Sequence, residues 1–177
     1  MLFALSFHTG FGQNILSKKH YLGIQPSFLL EPYDTIKALE VNIAPFNYEY
    51  RFDNLTAIQF RSVVNYRFYK AGSGISQVGG TFVFHKYFMK WFDEDFWISP
   101  SLGGFTTYTY NNLDLIHTIT LGVEGGVTFS FNEWFSLSTN LQPGINYYPT
   151  EYSRQFVDSE SGFKSHFGVI VHLGVNF

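Results

Sequence analysis

The strongest constraint in this sequence is a two-residue alternation that runs through its final stretch. One set of alternate positions holds large apolar side chains: Phe167, Val169, Val171, Leu173, Val175 and Phe177. The positions between them hold mainly small or polar residues: His166, Gly168, Ile170, His172, Gly174 and Asn176. Because successive side chains of a β-strand point to opposite faces, this period predicts a strand over residues 164–177 with one apolar face.

The same alternation recurs upstream and divides the chain into further strands. In the segment 55–69, for example, the apolar Ile58 and Phe60 flank the polar Gln59. The predicted strands cover residues 21–30, 39–52, 55–69, 77–88, 96–110, 115–131, 135–148 and 164–177. Each is long enough for the roughly 9–11 residues that a tilted strand needs to cross a bilayer. The sequence therefore predicts an all-β fold, an eight-stranded antiparallel up-and-down transmembrane β-barrel.

Composition argues against several other classes of protein. Only 14% of the residues are charged and 20% are aromatic, yet the mean hydropathy is -0.02, which fits apolar and polar residues that alternate. No apolar run approaches the roughly 20 residues that a membrane helix needs. The net charge of -3 argues against a nucleic-acid partner, because phosphate binding needs a basic surface. The absence of Cys excludes disulfides and thiolate metal sites.

The predicted connections differ in length between the two ends of the strands. Tight turns are predicted at 53–54, 93–95 and 132–134, and longer connections at 31–38, 70–76, 111–114 and 149–163. Short turns on one side and longer loops on the other are typical of outer-membrane barrels. Aromatic residues gather near the strand ends, where amphipathic rings prefer the interface between membrane and water.

A soluble eight-stranded barrel of the lipocalin or streptavidin kind is the main alternative fold. Its apolar face would line the interior, and its polar face would meet water. The polar face predicted here carries many Ser, Thr, Asn and Gln residues but few Lys or Glu residues, unlike a solvated exterior. We therefore favour the arrangement in which the apolar faces point outward.

The alternating final segment, closed by the aromatic Phe177, resembles the last strand of bacterial outer-membrane β-barrels. In that family the terminal Phe and the alternating residues form the signal that the barrel assembly machinery reads. Here the signal would comprise Phe167, Val169, Val171, Leu173, Val175 and Phe177. Over residues 20–177 the architecture is similar to small porin-like barrels of Gram-negative bacteria: the OmpA transmembrane domain, OmpX, OmpW and proteins of the Bacteroidetes type. The resemblance implies an outer-membrane location, among outer-membrane lipid and lipopolysaccharide.

Residues 1–13 are predicted to be the remnant of a signal peptide, and residues 14–177 the barrel domain. Residues 2–12 are largely apolar and end in small residues, as the core and cleavage region of a secretion signal do. The basic region that normally precedes them is missing. The alternative is a short extra strand or a loose arm, but a ninth strand would break the even strand count of bacterial barrels.

If the apolar faces meet lipid, the polar faces meet in the lumen. The predicted polar network of the lumen comprises Glu40, Glu49, Arg51, Gln59, Arg61, Arg67, His85, Glu124, Gln142 and His172. An eight-stranded barrel is just wide enough for side chains to fill it, and buried charges must be paired and hydrogen-bonded. We expect the Arg and Glu side chains to form a plug. A narrow, gated pore lined by the same groups is the alternative.

A plugged lumen favours a non-enzymatic protein, either structural or acting at the cell surface through its external loops. The predicted loop 149–163 offers the best contact surface for an extracellular partner, through Glu151, Tyr152, Arg154, Asp158 and Glu160. One alternative is a narrow channel or carrier for small or hydrophobic solutes, and another is a lipid-modifying enzyme. His117 and Asp114 are the nearest candidates for an outward catalytic set, but they lack a Ser partner. We expect no cofactor and no metal site.

Prolines mark irregular places in the predicted walls. At Pro45 the apolar positions change parity, which predicts a β-bulge. Pro26 and Pro143 lie on the two strands that flank the final strand in a closed barrel. Each removes a backbone donor from the ladder, so we hypothesise a weakened wall, or lateral gate, beside the final strand.

Glycine pairs recur at 79–80, 103–104 and 125–126 on successive predicted strands. Glycine weakens a strand but permits kinks and the close approach of bulky groups. We predict that lumenal aromatic side chains such as Phe105 or Tyr87 pack over this glycine patch.

Overall fold

The computed structural model describes residues 19–25, 28–33, 36–53, 55–68, 73–88, 96–131, 134–150 and 162–177, and for residues 28–33 and 36–40 it describes the backbone alone. The predicted signal remnant at 1–13 lies outside these ranges. The strands are β1 (His20–Ile24), β2 (Phe28–Tyr33), β3 (Ile36–Asn42), β4 (Phe46–Arg51), β5 (Thr56–Phe68), β6 (Gly74–Tyr87), β7 (Phe96–Asn111), β8 (Ile116–Phe131), β9 (Phe135–Tyr147) and β10 (Phe163–Asn176). The first two predicted strands are each divided into two.

The strands form one closed antiparallel sheet. From β5 to β10 each strand pairs with its neighbours in sequence, and β1 closes the cylinder by pairing with β10 on one side and β4 on the other. β1 and β2 together make one wall. β3 and β4 make the next, because both pair with β5. The result is the predicted eight-stranded barrel. No helix in the part of the chain described is long and apolar enough to cross a membrane.

The break between β3 and β4 confirms the irregularity predicted at Pro45. Asn42 pairs with Asn65 and Asn47 pairs with Arg61, so the β3–β4 side carries one residue more than β5 over this interval. Because of the extra residue, side chains after the break point to the opposite faces from those that an unbroken alternation would give them. Asn42 and Asn47 are both buried, although an unbroken strand would place them on opposite faces.

Two connections differ from the predicted pattern of lengths. β2 ends at Tyr33 and β3 begins at Ile36, and these two residues pair, so the long loop expected over 31–38 is a short hairpin connection. Conversely, the tight turn expected at 93–95 belongs to a longer connection, 88–95. Ladder hydrogen bonds use the backbone alone, so a strand can continue past the last alternating side chain, and alternation underestimates its length.

A carboxylate holds the turn after β4. Asp53 accepts hydrogen bonds from the backbone N–H groups of Leu55 and Thr56, both at 2.7 Å. These donors hold the pKa of Asp53 below its usual value. The turn therefore keeps its charge-assisted bonds at neutral pH and loses them as the pH falls through the pKa of Asp53.

The barrel is polar inside and apolar outside. Leu121 on β8 is 57% exposed, and Phe82 and Phe84 on β6 are similarly exposed. Arg61 on β5, by contrast, is 1% exposed, and Glu124 on β8 is fully buried. This is the polarity that the sequence favours, and it is the reverse of the polarity of a soluble barrel.

Two buried aromatic side chains cover glycines. Phe105 lies over Gly122 and Gly144, where an added Cβ atom would come within 2.6 Å and 3.2 Å of its ring. Tyr21 covers the glycines of the β1–β10 pair in the same way. Phe105 thus packs on glycine as predicted, but on different glycines from the three expected pairs. The alternation of side chains along a strand shows which glycines face the lumen. It does not show which glycines lie at the same level along the barrel axis, because neighbouring strands are staggered.

Two glycines on neighbouring strands test this packing. In Gly122→Ala the new methyl group clashes with the Phe105 ring and with the carbonyl oxygen of Pro143, so we expect the free energy of unfolding to fall by about 1–3 kcal/mol. Gly104→Ala is the control, because its Cβ atom would meet nothing closer than 3.9 Å. Urea unfolding, followed by tryptophan fluorescence, measures both. Equal unfolding midpoints for the two variants would contradict the packing.

Candidate functional site

The alternation of side chains along each strand places most of the candidate residues in the lumen. Glu49 and Arg51 occupy alternate positions of β4, and Gln59 and Arg61 do the same on β5, while the residues between them include the exposed Phe60. The candidate residues that are buried in the lumen are Glu49, Arg51, Gln59, Arg61, His85, Glu124, Gln142 and His172. We refer to these residues other than His172, together with Tyr87, as the lumenal network.

An ion pair across the lumen forms the centre of the lumenal network. The guanidinium of Arg61 on β5 donates two hydrogen bonds to the carboxylate of Glu124 on β8, at 2.7 Å and 2.5 Å. Gln142 on β9 donates a third hydrogen bond to Glu124 at 2.5 Å. Bidentate pairing of this kind gives both energy and a fixed geometry. The pair joins two walls that are not neighbours in the sheet.

A second carboxylate gathers donors beside the first. Glu49 accepts hydrogen bonds from Arg51 Nε and from the Tyr87 hydroxyl, both at 2.7 Å, and from Gln59 Nε2 at 3.4 Å. The guanidinium of Arg51 also lies 5.8 Å from the centre of the Tyr87 ring. The charge of Glu49 is therefore neutralised inside the lumen, as a buried carboxylate requires.

Gln59 joins the two carboxylate clusters into one network. Its side-chain oxygen accepts a hydrogen bond from Arg61 Nη2, and its amide nitrogen donates to Glu49. His85 adds a further link, because its Nε2 lies 3.2 Å from Gln59 Oε1 and 3.7 Å from Glu124 Oε1. The candidate residues of β4, β5, β6, β8 and β9 thus form one continuous array of ion pairs and hydrogen bonds.

His172 lies in a neighbouring polar cluster on the wall made by β1, β4 and β10. Its Nδ1 is hydrogen-bonded to Asn47 Nδ2 at 2.9 Å. Several buried atoms here have no hydrogen-bond partner among the described residues: His172 Nε2, Asn47 Oδ1, Gln25 Oε1 and the Tyr21 hydroxyl. The sequence interpretation missed Tyr21 and Asn47. The parity of β1 and β4 would have placed both in the lumen once the bulge at Pro45 is allowed for.

The remaining candidates lie elsewhere. Arg67 is half-buried towards the end of β5, and its backbone pairs with that of Glu40, whose side chain lies outside the described part of the chain. The loop residues that also lie outside it are Glu151, Tyr152, Arg154, Asp158 and Glu160. The alternating apolar set faces outward and is exposed: Phe167, Val169, Val171, Leu173, Val175 and Phe177.

Side chains fill the lumen at the level of the lumenal network. Glu49, Arg51, Arg61 and Glu124 are all buried, so water has little access to these four side chains. The arrangement can pair and neutralise charge and can block passage. Among the residues that the structure describes, no three His, Asp or Glu side chains come together as metal ligands.

On the outer face, His117 is hydrogen-bonded to the Tyr108 hydroxyl at 2.9 Å.

Comparison with known proteins adds no family to this description. No protein-family model matches the chain, and no curated protein matches it detectably.

The central ion pair is open to a double-mutant test. Glu124→Met leaves the Arg61 guanidinium buried without its carboxylate, so we expect the free energy of unfolding to fall by about 3–5 kcal/mol. Arg61→Met/Glu124→Met removes both charges, and we expect it to recover much of that loss. Unfolding in guanidinium chloride, in the same detergent, is measured for the unaltered protein, Glu124→Met, Arg61→Met and the double variant. Additive losses in the double variant would contradict direct pairing.

Proposed function

We propose that this protein is an integral β-barrel of the bacterial outer membrane with a plugged lumen and no enzymatic activity. The observation that carries the proposal is the polarity of the barrel. Large apolar side chains cover the outer wall, whereas buried ion pairs fill the interior. A lipid environment satisfies such an outer surface, and a closed barrel leaves no unpaired sheet edge facing the lipid wherever its ladder is complete.

Aromatic rings at both ends of the barrel support this placement. At the end where β4 leads into β5, which we name the lower rim, Tyr50 packs against Phe52 and Phe131 against Phe135. At the opposite end, the upper rim, the corresponding ring pairs are Tyr66 with Phe68, Tyr110 with His117, and Tyr147 with Phe163. Two such girdles are expected where a barrel crosses the two interfaces of a bilayer.

The geometry of the final strand supports the proposal that the barrel assembly machinery is a partner. Phe177 exchanges two backbone hydrogen bonds with His20, at 2.8 Å and 3.1 Å, and its ring stacks on the His20 ring. The alternating apolar residues before it remain on the outer surface. The resemblance to outer-membrane barrels assigns a recognition role to this set, and the exposed face fits it.

Because its lumen is filled, we expect the protein to act through its surfaces. Because the lumenal network blocks the barrel at its own level, we propose that interactions occur through the loops of the upper rim, with 149–163 as the contact segment for an extracellular partner. A narrow channel is the second candidate. Two buried atoms of the lumenal network, Arg61 Nε and His85 Nδ1, have no hydrogen-bond partner among the described residues, which favours a rearrangement of that network in a conducting state.

Arginine placed at two heights on the outer wall tests the membrane location. Val123 lies near the middle of β8 and Phe131 at its lower end, and both are exposed. In phosphatidylcholine vesicles, we expect Val123→Arg to lower the free energy of unfolding by about 2–4 kcal/mol and Phe131→Arg by about 0–1 kcal/mol. Urea unfolding in vesicles gives both values. Two equally small effects would indicate a wall that faces water.

Planar-bilayer recording separates the plugged barrel from the channel. We expect the unaltered protein to conduct no steady current, because Arg61 and Glu124 close the lumen. Arg61→Ala/Glu124→Ala removes that pair, and we expect it to show open events. Phe60→Ala, a truncation on the outer face of β5, serves as the control and should stay closed. Steady conductance by the unaltered protein would favour the channel instead.

A further inference from the structure

The same arrangement of one histidine and two tyrosines occurs at both ends of the outer wall. The lower cluster comprises His20 on β1 with Tyr48 and Tyr50 on β4, and the upper cluster comprises His117 on β8 with Tyr108 and Tyr110 on β7. In each cluster the histidine is the ladder partner of the tyrosine nearer the rim. Its Nδ1 is hydrogen-bonded to the hydroxyl of the other tyrosine, at 2.8 Å in the lower cluster and 2.9 Å in the upper cluster. Two clusters built alike mark two equivalent levels of the outer wall.

The two clusters are about one bilayer apart. Ladder partners lead from Tyr48 to Thr106 of β7 round one side of the barrel, and to Phe96 of β7 round the other. These two positions differ by about ten residues, which is the shear that accompanies the tilt of the strands. The first route crosses three of the eight steps between strands, so Tyr50 is level with about residue 100 of β7. Tyr110 therefore stands about ten residues of tilted strand above Tyr50, and roughly 9–11 residues cross a bilayer.

An apolar groove lies on the outer wall below the upper cluster. Gly104 and Thr106 of β7 form its floor, and its sides are lined by Phe82, Phe84 and Leu121 of the neighbouring strands. The groove exists because Gly104 has no side chain, and an added Cβ atom there would meet nothing closer than 3.9 Å. Its volume is about 390 Å³, within the roughly 300–1,000 Å³ of ligand pockets. We name it the outer groove.

The upper cluster leaves one hydrogen-bond donor free at the top of the outer groove. Tyr108 is the next outward residue above Thr106 on β7, so the groove leads to the cluster. When the Tyr108 hydroxyl donates to Nδ1 of His117, the ring proton of a neutral histidine is on Nε2, and a protonated histidine carries one there as well. This Nε2 has no hydrogen-bond partner among the described residues. Tyr108 is 49% exposed, so the cluster is open to a ligand from outside the barrel.

The charge near the upper cluster favours a zwitterionic head group. The β7–β8 connection, 112–115, carries one charged residue, Asp114, and it is acidic. Asp114 accepts a hydrogen bond at 3.1 Å from Asn111, the residue after Tyr110, which holds the carboxylate near the cluster. An acid at this place repels a head group with several negative charges. A phosphate with an attached ammonium group instead gives the histidine an acceptor and the acid a cation.

We propose that the upper cluster and the outer groove together bind one zwitterionic glycerophospholipid. Its phosphate accepts a hydrogen bond from His117 Nε2, its ammonium group lies towards Asp114, and one acyl chain fills the outer groove over Gly104. The inference rests on the proposed membrane location, because a bilayer supplies this ligand to the outer wall. The order of the parts along β7 matches the lipid, with the polar cluster at the interface and the apolar groove in the hydrocarbon below it.

Native mass spectrometry of the protein released from detergent tests the ligand. The probe is dioleoyl phosphatidylethanolamine, and dioleoylglycerol, which has the same chains without the phosphate, is the comparison. We expect one phosphatidylethanolamine molecule to stay bound and dioleoylglycerol to be retained at least threefold less. Equal retention of the two compounds, preferential retention of lipid A with its two phosphates, or a protein dimer that excludes lipid would overturn the proposal.

Matched variants locate the bound lipid. Gly104→Leu fills the outer groove and His117→Phe removes the donor, so each should lower the retained fraction at least threefold, and the milder Gly104→Ala should lower it less. Two controls should leave the fraction unchanged. Gly125→Leu alters an outward position of β8 outside the groove, and His20→Phe alters the lower cluster at the other end of the barrel. A control that loses as much lipid as its matched variant would overturn the proposal.

Insertion of each protein into phosphatidylcholine vesicles is scored separately, by resistance to protease and by heat-dependent gel mobility. An inserted protein that retains no phosphatidylethanolamine overturns the lipid site alone. A protein that does not insert overturns the proposed membrane location and the lipid site with it.

Discussion

The constraint on which the rest of the structure depends is that the strands whose side chains the structure describes keep their polar faces towards the lumen. Arg61 and Glu124 meet across the barrel because β5 and β8 both obey it. A shift of β5 by one residue would carry Arg61 to the outer wall and bring Phe60 into the lumen. The apolar outer wall and the buried ion pair therefore fix the same register from opposite sides. Replacing the ions by apolar side chains would fill the same volume but would remove one of these two constraints.

Most of the fold could be predicted because one period governs both the backbone and the side chains. The alternation around Phe60 and Leu121 gave strands whose observed ends differ by only a few residues, and a change of parity was enough to place the bulge at Pro45. The connection between β2 and β3 could not be predicted in the same way. β2 and β3 continue to a close turn by backbone pairing alone, and no pattern of side chains records where such pairing stops.

In the candidate site, too, some features could be predicted from the alternation and others could not. Parity identifies the residues that point inward, such as Glu49 on β4 and Tyr87 on β6, but it does not show that they meet. Their hydrogen bond joins strands that are not paired with each other, and it depends on the stagger of the barrel, which follows from the sum of all pairing registers. The same reason explains why Phe105 covers Gly122 and Gly144 rather than the glycine pairs that the sequence emphasised.

The two prolines beside the final strand show how backbone context decides the effect of one residue type. Pro143 lies within β9, yet the β9–β10 ladder continues past it from Tyr147 to Phe135. On the other side, the β1–β10 ladder ends at Ile24 and no ladder joins β2 to β10 among the described residues. Pro26 lies outside those residues, so the weakened wall stays a prediction.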